Sequence, residues 1–231
     1  MRTYFKRCAA RLPAGWQWEL RRLWCRWRID KSTFSAGEPE TRVLERYVQP
    51  DDWVVDVGAN IGEYTRQLSD LVGPNGRVIA VEPVPETFAL LSSNAMRFKY
   101  RNVSLMNLAL SDRAGTSTIF VPRFDNGLPN YYQASLNSAS DSVESCAVLT
   151  IALDTLEFGH AIKLIKIDAE GHDERVIAGM LATIAKDKPT LIVESPTART
   201  YTDLAALGYA ATSLQDSPNT IFLPIASEKR S

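Results

Sequence analysis

The hydrophobic pattern along this chain alternates between two periods. Short, nearly continuous apolar runs at Trp53–Val57, Arg77–Val81, 103–107, Ile162–Ile167 and 190–193 read as strands buried on both faces of a sheet. Between them lie segments whose apolar residues recur three and four apart, as helices require: 63–71, 85–97, 174–185 and 201–207. Pro85 opens the second of these, in the first turn, where a missing N–H costs nothing. An earlier helix is predicted over 38–48, with Val43, Leu44 and Tyr47 inward. Strand and helix in alternation imply a doubly wound, mostly parallel sheet. After the third strand the period changes. Segments 116–121 and 147–152 are extended, and 122–145 is rich in Asn, Ser, Gly and Pro, which predicts a β insertion with a long loop. Two short extended runs close the chain. With no repeat and no linker, the expected division is an N-terminal helical segment, 1–36, and one domain, 37–231.

The ends of the first two strands carry the most specific chemistry. The first runs into Asp56-Val57-Gly58-Ala59-Asn60-Ile61-Gly62. An acid followed by two glycines turns a strand sharply into a helix and brings main-chain N–H groups close to a ligand. The second strand ends in Glu82, a carboxylate able to accept hydrogen bonds from two ribose hydroxyls. On adjacent parallel strands, these groups describe a nucleoside pocket. A dinucleotide loop needs Gly-x-Gly-x-x-Gly to admit a pyrophosphate. Here Gly58 and Gly62 are four apart and Asp56 stands two before the first. A carboxylate there repels a pyrophosphate but pairs with an ammonium group. S-adenosylmethionine carries that group and no phosphate, so it is the expected cofactor. A glycine turn of another α/β protein, or an NAD-dependent oxidoreductase, is the alternative. The candidate cofactor residues are Asp56, Gly58, Asn60, Gly62 and Glu82, with Ser111 and Asp112 after the third strand, where adenine would lie.

Several further motifs fall in a recognisable order. They are Glu82-Pro83-Val84-Pro85-Glu86, Asn107-Leu108-Ala109-Leu110-Ser111-Asp112, Leu153-Asp154-Thr155-Leu156, Leu164-Ile165-Lys166-Ile167-Asp168-Ala169-Glu170-Gly171 and Leu207-Gly208-Tyr209. Together with the glycine loop they resemble the FkbM family of S-adenosylmethionine-dependent methyltransferases, from about residue 38 to residue 209. The resemblance implies a Rossmann-like class I methyltransferase fold. It also implies methylation of an oxygen, since the family takes its name from an O-methyltransferase of macrolide biosynthesis and members act on sugars, glycolipids and other hydroxylated acceptors. In the family a small residue and a glutamate usually follow the glycine of the fourth-strand motif; His172-Asp173 departs from that pattern.

The fourth strand and its loop hold the candidate catalytic groups. Alternation puts Lys166 and Asp168 on the face opposite Ile165 and Ile167, and Glu170 and His172 extend the cluster into the loop. Core packing does not explain such a cluster at the carboxyl end of a central strand. Asp173 and Glu174 read as an acidic helix start. An alcohol acceptor must lose a proton as its new bond forms, and Asp168, Glu170 and His172 are the candidate bases. Glu194, ending the fifth strand, falls on the acceptor side. A divalent cation held by the carboxylates, lowering the acceptor's pKa, is the alternative; nothing in the spacing fixes a metal-ligand geometry, and no metal is expected.

Charge divides the chain unevenly. Its net charge of −1 combines about +7 in residues 1–31 with about −8 in the rest. Four of the five tryptophans, Trp16, Trp18, Trp24 and Trp27, lie in the basic part. Over 16–29 a helix would bring Trp16, Leu20, Leu23, Trp24 and Trp27 to one face, expected to pack on the main domain with its arginines solvated. Peripheral contact of residues 16–29 with the inner membrane surface is the alternative. The acidic main domain opposes nucleic acid. Cys8, Cys25 and Cys146 are odd in number and far apart, and no secretory leader or membrane span is evident; a cytoplasmic setting follows as the expectation. The expected partner is a small-molecule or glycolipid-type acceptor. A nitrogen acceptor, or a non-catalytic membrane-apposed binding protein on the same fold, remains the other reading.

Overall fold

The structure, a computed structural model, describes residues 13–37, 39–123, 130, 134–136 and 144–225. The basic positions Arg2, Lys6, Arg7 and Arg11, together with Cys8, lie outside the described residues, as does most of the 122–145 loop. The apolar runs become the strands they predict. In chain order the elements are α1 (Ala14–Asp30), β1 (Trp53–Val57), α2 (Glu63–Val72), β2 (Arg77–Val81), α3 (Pro85–Ala95) and β3 (Val103–Met106). There follow β4 (Ala109–Leu110), β5 (Gly115–Val121), β6 (Glu144–Ile151), β7 (Ile162–Ile167), α4 (Asp173–Ala178) and α5 (Leu181–Asp187). The chain continues through β8 (Thr190–Glu194), α6 (Ala198–Ala206), β9 (Tyr209–Ser213) and β10 (Asn219–Pro224).

Seven strands form one sheet in the order β3-β2-β1-β7-β8-β10-β9. β1 pairs in parallel with both β2 and β7, β3 and β8 extend the parallel part on either side, and β10 runs antiparallel to β8 and β9. The strand order reverses direction between β1 and β7, and a doubly wound sheet opens its crevice at the carboxyl ends there. Val55, Val57, Ile165 and Ile167 face one helix layer, with Val176, Met180 and Leu204. Val54, Val78 and Leu164 face the other, with Tyr64, Leu68 and Leu44. The predicted β insertion is a separate sheet, in which β6 pairs antiparallel with β5 and parallel with β4.

Three expectations are corrected. The helix read over 38–48 is two 3₁₀ turns, Pro39–Arg42 and Leu44–Arg46, separated at Val43 (φ −111°, ψ −1°). β-branched Thr41 and Val43 weaken an α-helix there, and two short turns suffice to bury Leu44 and Val48. The helix read over 174–185 breaks into α4 and α5 around Gly179. A Cβ at Gly179 would lie 1.9 Å from the Ser111 carbonyl oxygen, so the chain turns where only glycine can pass that backbone. The third concerns α1, which docks by its other side. Cys25 and Ile29 are buried with Phe34 against Ile61, Leu90 and Phe98, with Trp18 packed beside them. An Arg28–Glu63 ion pair and an Arg97–Asp30 pair at 3.0 Å flank that contact. The stripe expected to be buried is exposed: Trp16 by 66%, Trp24 by 52% and Trp27 by 56%. Both sides of the helix are apolar, and the smaller stripe fits the hollow beside the glycine loop.

Candidate active site

A cleft opens at the carboxyl ends of β1, β2, β4 and β7. Gly58, Asn60, Glu82, Asp168, Glu170 and His172 line it, with Val84, Leu108, Leu110 and Ile119 as apolar walls. The floor is built by the glycine loop. Gly58 N and Ala59 N both donate to the Val81 carbonyl at 3.0 Å, which folds the loop across the end of β2. Gly58 has φ +74°, and a Cβ there would lie 1.8 Å from the Asp168 carbonyl oxygen. Both backbone sign and space therefore demand glycine. Gly58→Ala is expected to cost about 3 kcal/mol, lowering Tm by roughly 6–12 °C for a chain of this length in a thermal melt.

Glu82 closes this end of the cleft. It is buried, its Oε2 accepts from Asn60 N and its Oε1 from Val84 N, both at 2.9 Å. Burial pushes its carboxyl up to about 7, against the pull of those two backbone donors. A carboxylate has about four acceptor sites, so two remain for ligand hydroxyls. Asn60, at φ +48°, turns its side-chain Oδ1 to the N–H of Ile61 at 2.8 Å. That bond holds the loop, while Asn60 itself lines the cleft.

The other candidate cofactor residues lie elsewhere. Asp56 is beneath the floor, not on the cleft. Alternation on β1 turns it toward α2, where its Oδ2 accepts from Thr65 Oγ1 at 2.6 Å. Its strand-register partner on β7 is Lys166, an opposite charge. Burial raises the Asp56 carboxyl, and Lys166 opposes that shift. Gly62, at φ +93°, starts α2 and abuts Leu91 and Phe98, on the side away from the cleft. Ser111 is buried below His172, and Asp112 is exposed. They follow β4 instead of β3, so the residues just before them, Leu108 to Leu110, form the cleft wall.

The fourth-strand cluster is assembled as its spacing implies, with one more member. Lys166 Nζ sits 2.6 Å from Asp168 Oδ2 and 5.3 Å from the centre of the Tyr64 ring. Glu194, at the end of β8, hydrogen-bonds Asp168. Ligand-capable oxygens of Asp168, Glu170 and Glu194 all lie within 4.8 Å of one another. Three carboxyls this close titrate apart. Burial works to raise Asp168, but the Lys166 charge and the hydrogen bonds from Glu194 and Lys166 outweigh it and hold Asp168 low. Glu194 is pushed up to about 8 by its hydrogen bond to Asp168 and by burial. Glu170, nearer solvent, is pushed up to about 7 by burial and by the charges of Asp168 and Asp173. The negative charge of the pair thus favours Asp168, beside Lys166, and Glu194 is the carboxyl that takes up a proton first. Glu170 and Gly171 both have left-handed backbone, φ +48° and +85°, in the tight turn after β7.

His172 lines the cleft from the start of α4. Its Nε2 is 3.0 Å from Ser111 Oγ, and its buried Nδ1 has no hydrogen-bond partner. Burial, then the Arg175 charge, holds the imidazole below its ordinary pKa, so it is neutral near pH 7. Asp173 Oδ1 accepts from Ala169 N at 3.0 Å and serves the helix start. Asp154, in the Leu153–Thr155 3₁₀ turn, accepts from Ala182 N and Thr183 N and caps α5 instead of entering the cleft.

No lysine or arginine is among the described residues lining the cleft, whose ionisable groups are carboxyls and one neutral imidazole. A pyrophosphate would meet only repulsion there. A ligand with a ribose, an ammonium and a sulfonium matches both the free acceptor sites of Glu82 and the negative lining. The sheet order, the glycine turn and the strand-end carboxylate define the class I S-adenosylmethionine-dependent methyltransferase fold. Residues 56–208 match the family described as the methyltransferase FkbM domain, and the chain belongs to that family; S-adenosylmethionine is the methyl donor of its class. The fold is similar to that of methyltransferase FkbM from Methylobacillus flagellatus KT, with a TM-score of 0.53 and 17% identity, covering 80% of this chain and 50% of that one. Two protein-L-isoaspartate O-methyltransferases share shorter stretches. That of Methanothrix thermoacetophila is 40% identical over 53 residues, 23% of this chain and 25% of the relative. That of Aeropyrum pernix is 44% identical over 72 residues, 31% of this chain and 28% of the relative. The chain thus spans about a quarter of the length of these curated relatives and half that of the solved structure. Among the described residues no helix is long and apolar enough to cross a membrane.

Proposed function

We propose that this chain transfers a methyl group to an oxygen of a hydroxylated small-molecule, sugar or lipid-linked acceptor. S-adenosylmethionine, when bound, supplies a methyl group already activated on a sulfonium. The chain's own residues then have three tasks: to align the acceptor oxygen, to exclude water and to take a proton. The observation that carries the reading is the meeting of Asp168 and Glu170, which line the nucleoside cleft, with Glu194 beside them. Glu170 is the general base, because it is reachable from solvent and its pKa lies near neutrality, where base strength and ionisation balance. Asp168, kept ionised by Lys166, orients the acceptor hydroxyl. Lys166 itself is buried and acts through Asp168. His172, neutral and anchored on Ser111, walls the cleft and is the second candidate for the proton. A nitrogen acceptor would use the same groups.

At the nucleoside end, Glu82 holds the ribose and the Gly58 turn fixes the approach of the loop, with Asn60 beside them. Asp56 contributes by keeping Lys166 and the β1–β7 seam in register. A cytoplasmic setting suits Cys25 and Cys146, both free thiols.

The test is incubation of purified protein with S-adenosylmethionine and a panel of hydroxylated acceptors, read as a methyl mass gain. Turnover is expected with an alcohol-bearing acceptor and is expected to survive chelation of divalent metals. Lys166 already supplies a cation to the carboxyl cluster, so a second is not needed there. Methylation confined to amines, or loss of turnover on chelation, would overturn the corresponding part of the reading.

A further inference from the structure

The outward face of α1 goes beyond the methylation reading and stands independently of it. At about 100° per residue, Trp16, Leu20, Leu23, Trp24 and Trp27 fall within an arc of roughly 100°. All five are exposed large apolar side chains. The inner stripe of Trp18, Cys25 and Ile29 lies on the opposite side and docks on the domain. Between the stripes run two basic flanks, Arg21 on one side, with Arg28 beside it paired to Glu63 of the domain, and Arg22 and Arg26 on the other. The only acids on the helix, Glu19 and Asp30, are both ion-paired to arginines, at 2.8 Å and 3.0 Å.

We infer that this face docks on an anionic lipid surface. An apolar stripe rich in tryptophan, edged on both sides by arginine, places aromatic rings at headgroup depth and cations against lipid phosphates. Charge complementarity selects this occupant over a second copy of the chain. Two such helices laid face to face would bring arginine flank against arginine flank, and like charges across an interface oppose association. Nucleic acid would satisfy the arginines but leave the apolar stripe in water. The charge of the rest of the molecule, about −8 beyond residue 31, repels an anionic surface and so orients the protein with α1 down. The inner stripe packs on Ile61, within the glycine loop, so docking would hold the loop side of the cleft near the bilayer.

The experiment is cosedimentation of the full-length protein with phosphatidylcholine vesicles, with and without about a quarter phosphatidylglycerol, combined with tryptophan emission. Binding to the anionic vesicles with a blue-shifted emission is expected, weakening about tenfold between about 0.05 M and about 0.5 M salt. The variant W16S/W24S/W27S is expected to bind at least about tenfold more weakly while its affinity for S-adenosylhomocysteine is unchanged, which shows that the fold is intact. A second variant, L20Q/L23Q, retains the tryptophans and is expected to lose the same binding and the blue shift. Equal binding by the variants, no binding by the parent or no preference for anionic lipid would overturn the inference. A dimer in solution that the variants dissolve, without vesicle binding, would overturn it in favour of self-association.

Discussion

Glu170→Gln is expected to lower kcat by roughly 10²- to 10⁴-fold, the usual contribution of a positioned general base. The affinity for S-adenosylhomocysteine should change by less than about twofold, because Glu170 sits at the mouth of the cleft and not at the ribose end that Glu82 closes. The same variant changes the pH profile. In the parent, kcat/KM for the acceptor, measured at saturating S-adenosylmethionine so that Glu82 does not contribute, should rise with pH until Glu170 ionises near 7 and then level, since only the carboxylate accepts a proton. In Glu170→Gln that limb should vanish. Asp168→Asn should also abolish most turnover, by a different route. It removes the counter-charge of the buried Lys166 and the acceptor of the Glu194 hydrogen bond, so a loss of Tm should accompany the loss of kcat. Glu194 separates the two roles. Because its carboxyl is raised and hydrogen-bonds Asp168, Glu194→Gln, which places a neutral donor there, should retain most activity, whereas Glu194→Ala should not. Steady-state kinetics with calorimetric titration of S-adenosylhomocysteine decides the set. Full activity in both Glu170→Gln and Asp168→Asn would remove these residues from the mechanism.

What made the central site legible in sequence was local. β1, β2 and β7 are buried on both faces along most of their length, so each reads as a nearly continuous apolar run, and the groups at their ends follow within a few residues: Gly58, Glu82, Asp168 and Glu170. Pairing across the sheet is not written locally, and there the reading weakens. Asp56 looks like a ligand-facing acid until its register against Lys166 and its bond to Thr65 place it under the floor. Ser111 and Asp112 look like strand-end residues of β3, but the two-residue strand β4 pairs with distant β6 and shifts the wall to Leu108 through Leu110. The proximity of Glu194 to Asp168 depends on β8 lying beside β7, which the order of elements suggests and only the structure measures. α1 shows a different limit. A hydrophobic stripe marks a face without saying what covers it, and here the stripe with fewer, smaller residues is the one the domain buries. The break at Gly179 likewise depends on a backbone nearly seventy residues away, at Ser111.

Glu82→Ala is expected to weaken S-adenosylhomocysteine binding by about 100-fold or more, the effect of losing two charge-assisted hydrogen bonds at about 1.5–3 kcal/mol each. Part of that loss comes through the loop. The Glu82 carboxylate also fixes Asn60 N and Val84 N, so its removal frees both edges of the cleft, and Glu82→Gln, which keeps one acceptor, should be milder. The pH dependence gives the sharper test. Folding raises this carboxyl from its ordinary 4.5 to about 7, so burial favours the protonated form. In the empty protein the corresponding stability is present below the ordinary pKa and is lost as pH rises toward 7. Ligand binding has the opposite slope, because ribose hydroxyls donate to the carboxylate and not to the acid. Affinity for S-adenosylhomocysteine should therefore fall about tenfold from pH 8 to pH 6, approaching tenfold per pH unit only below the pKa. Glu170 and Glu194 titrate in the same range but on the acceptor side. The Glu82→Gln protein retains both of them and should bind with a flat profile, so calorimetric titrations across that range in parent and variant isolate the contribution of Glu82. A variant that binds as tightly as the parent, or that keeps the parent's slope, would place the ribose elsewhere.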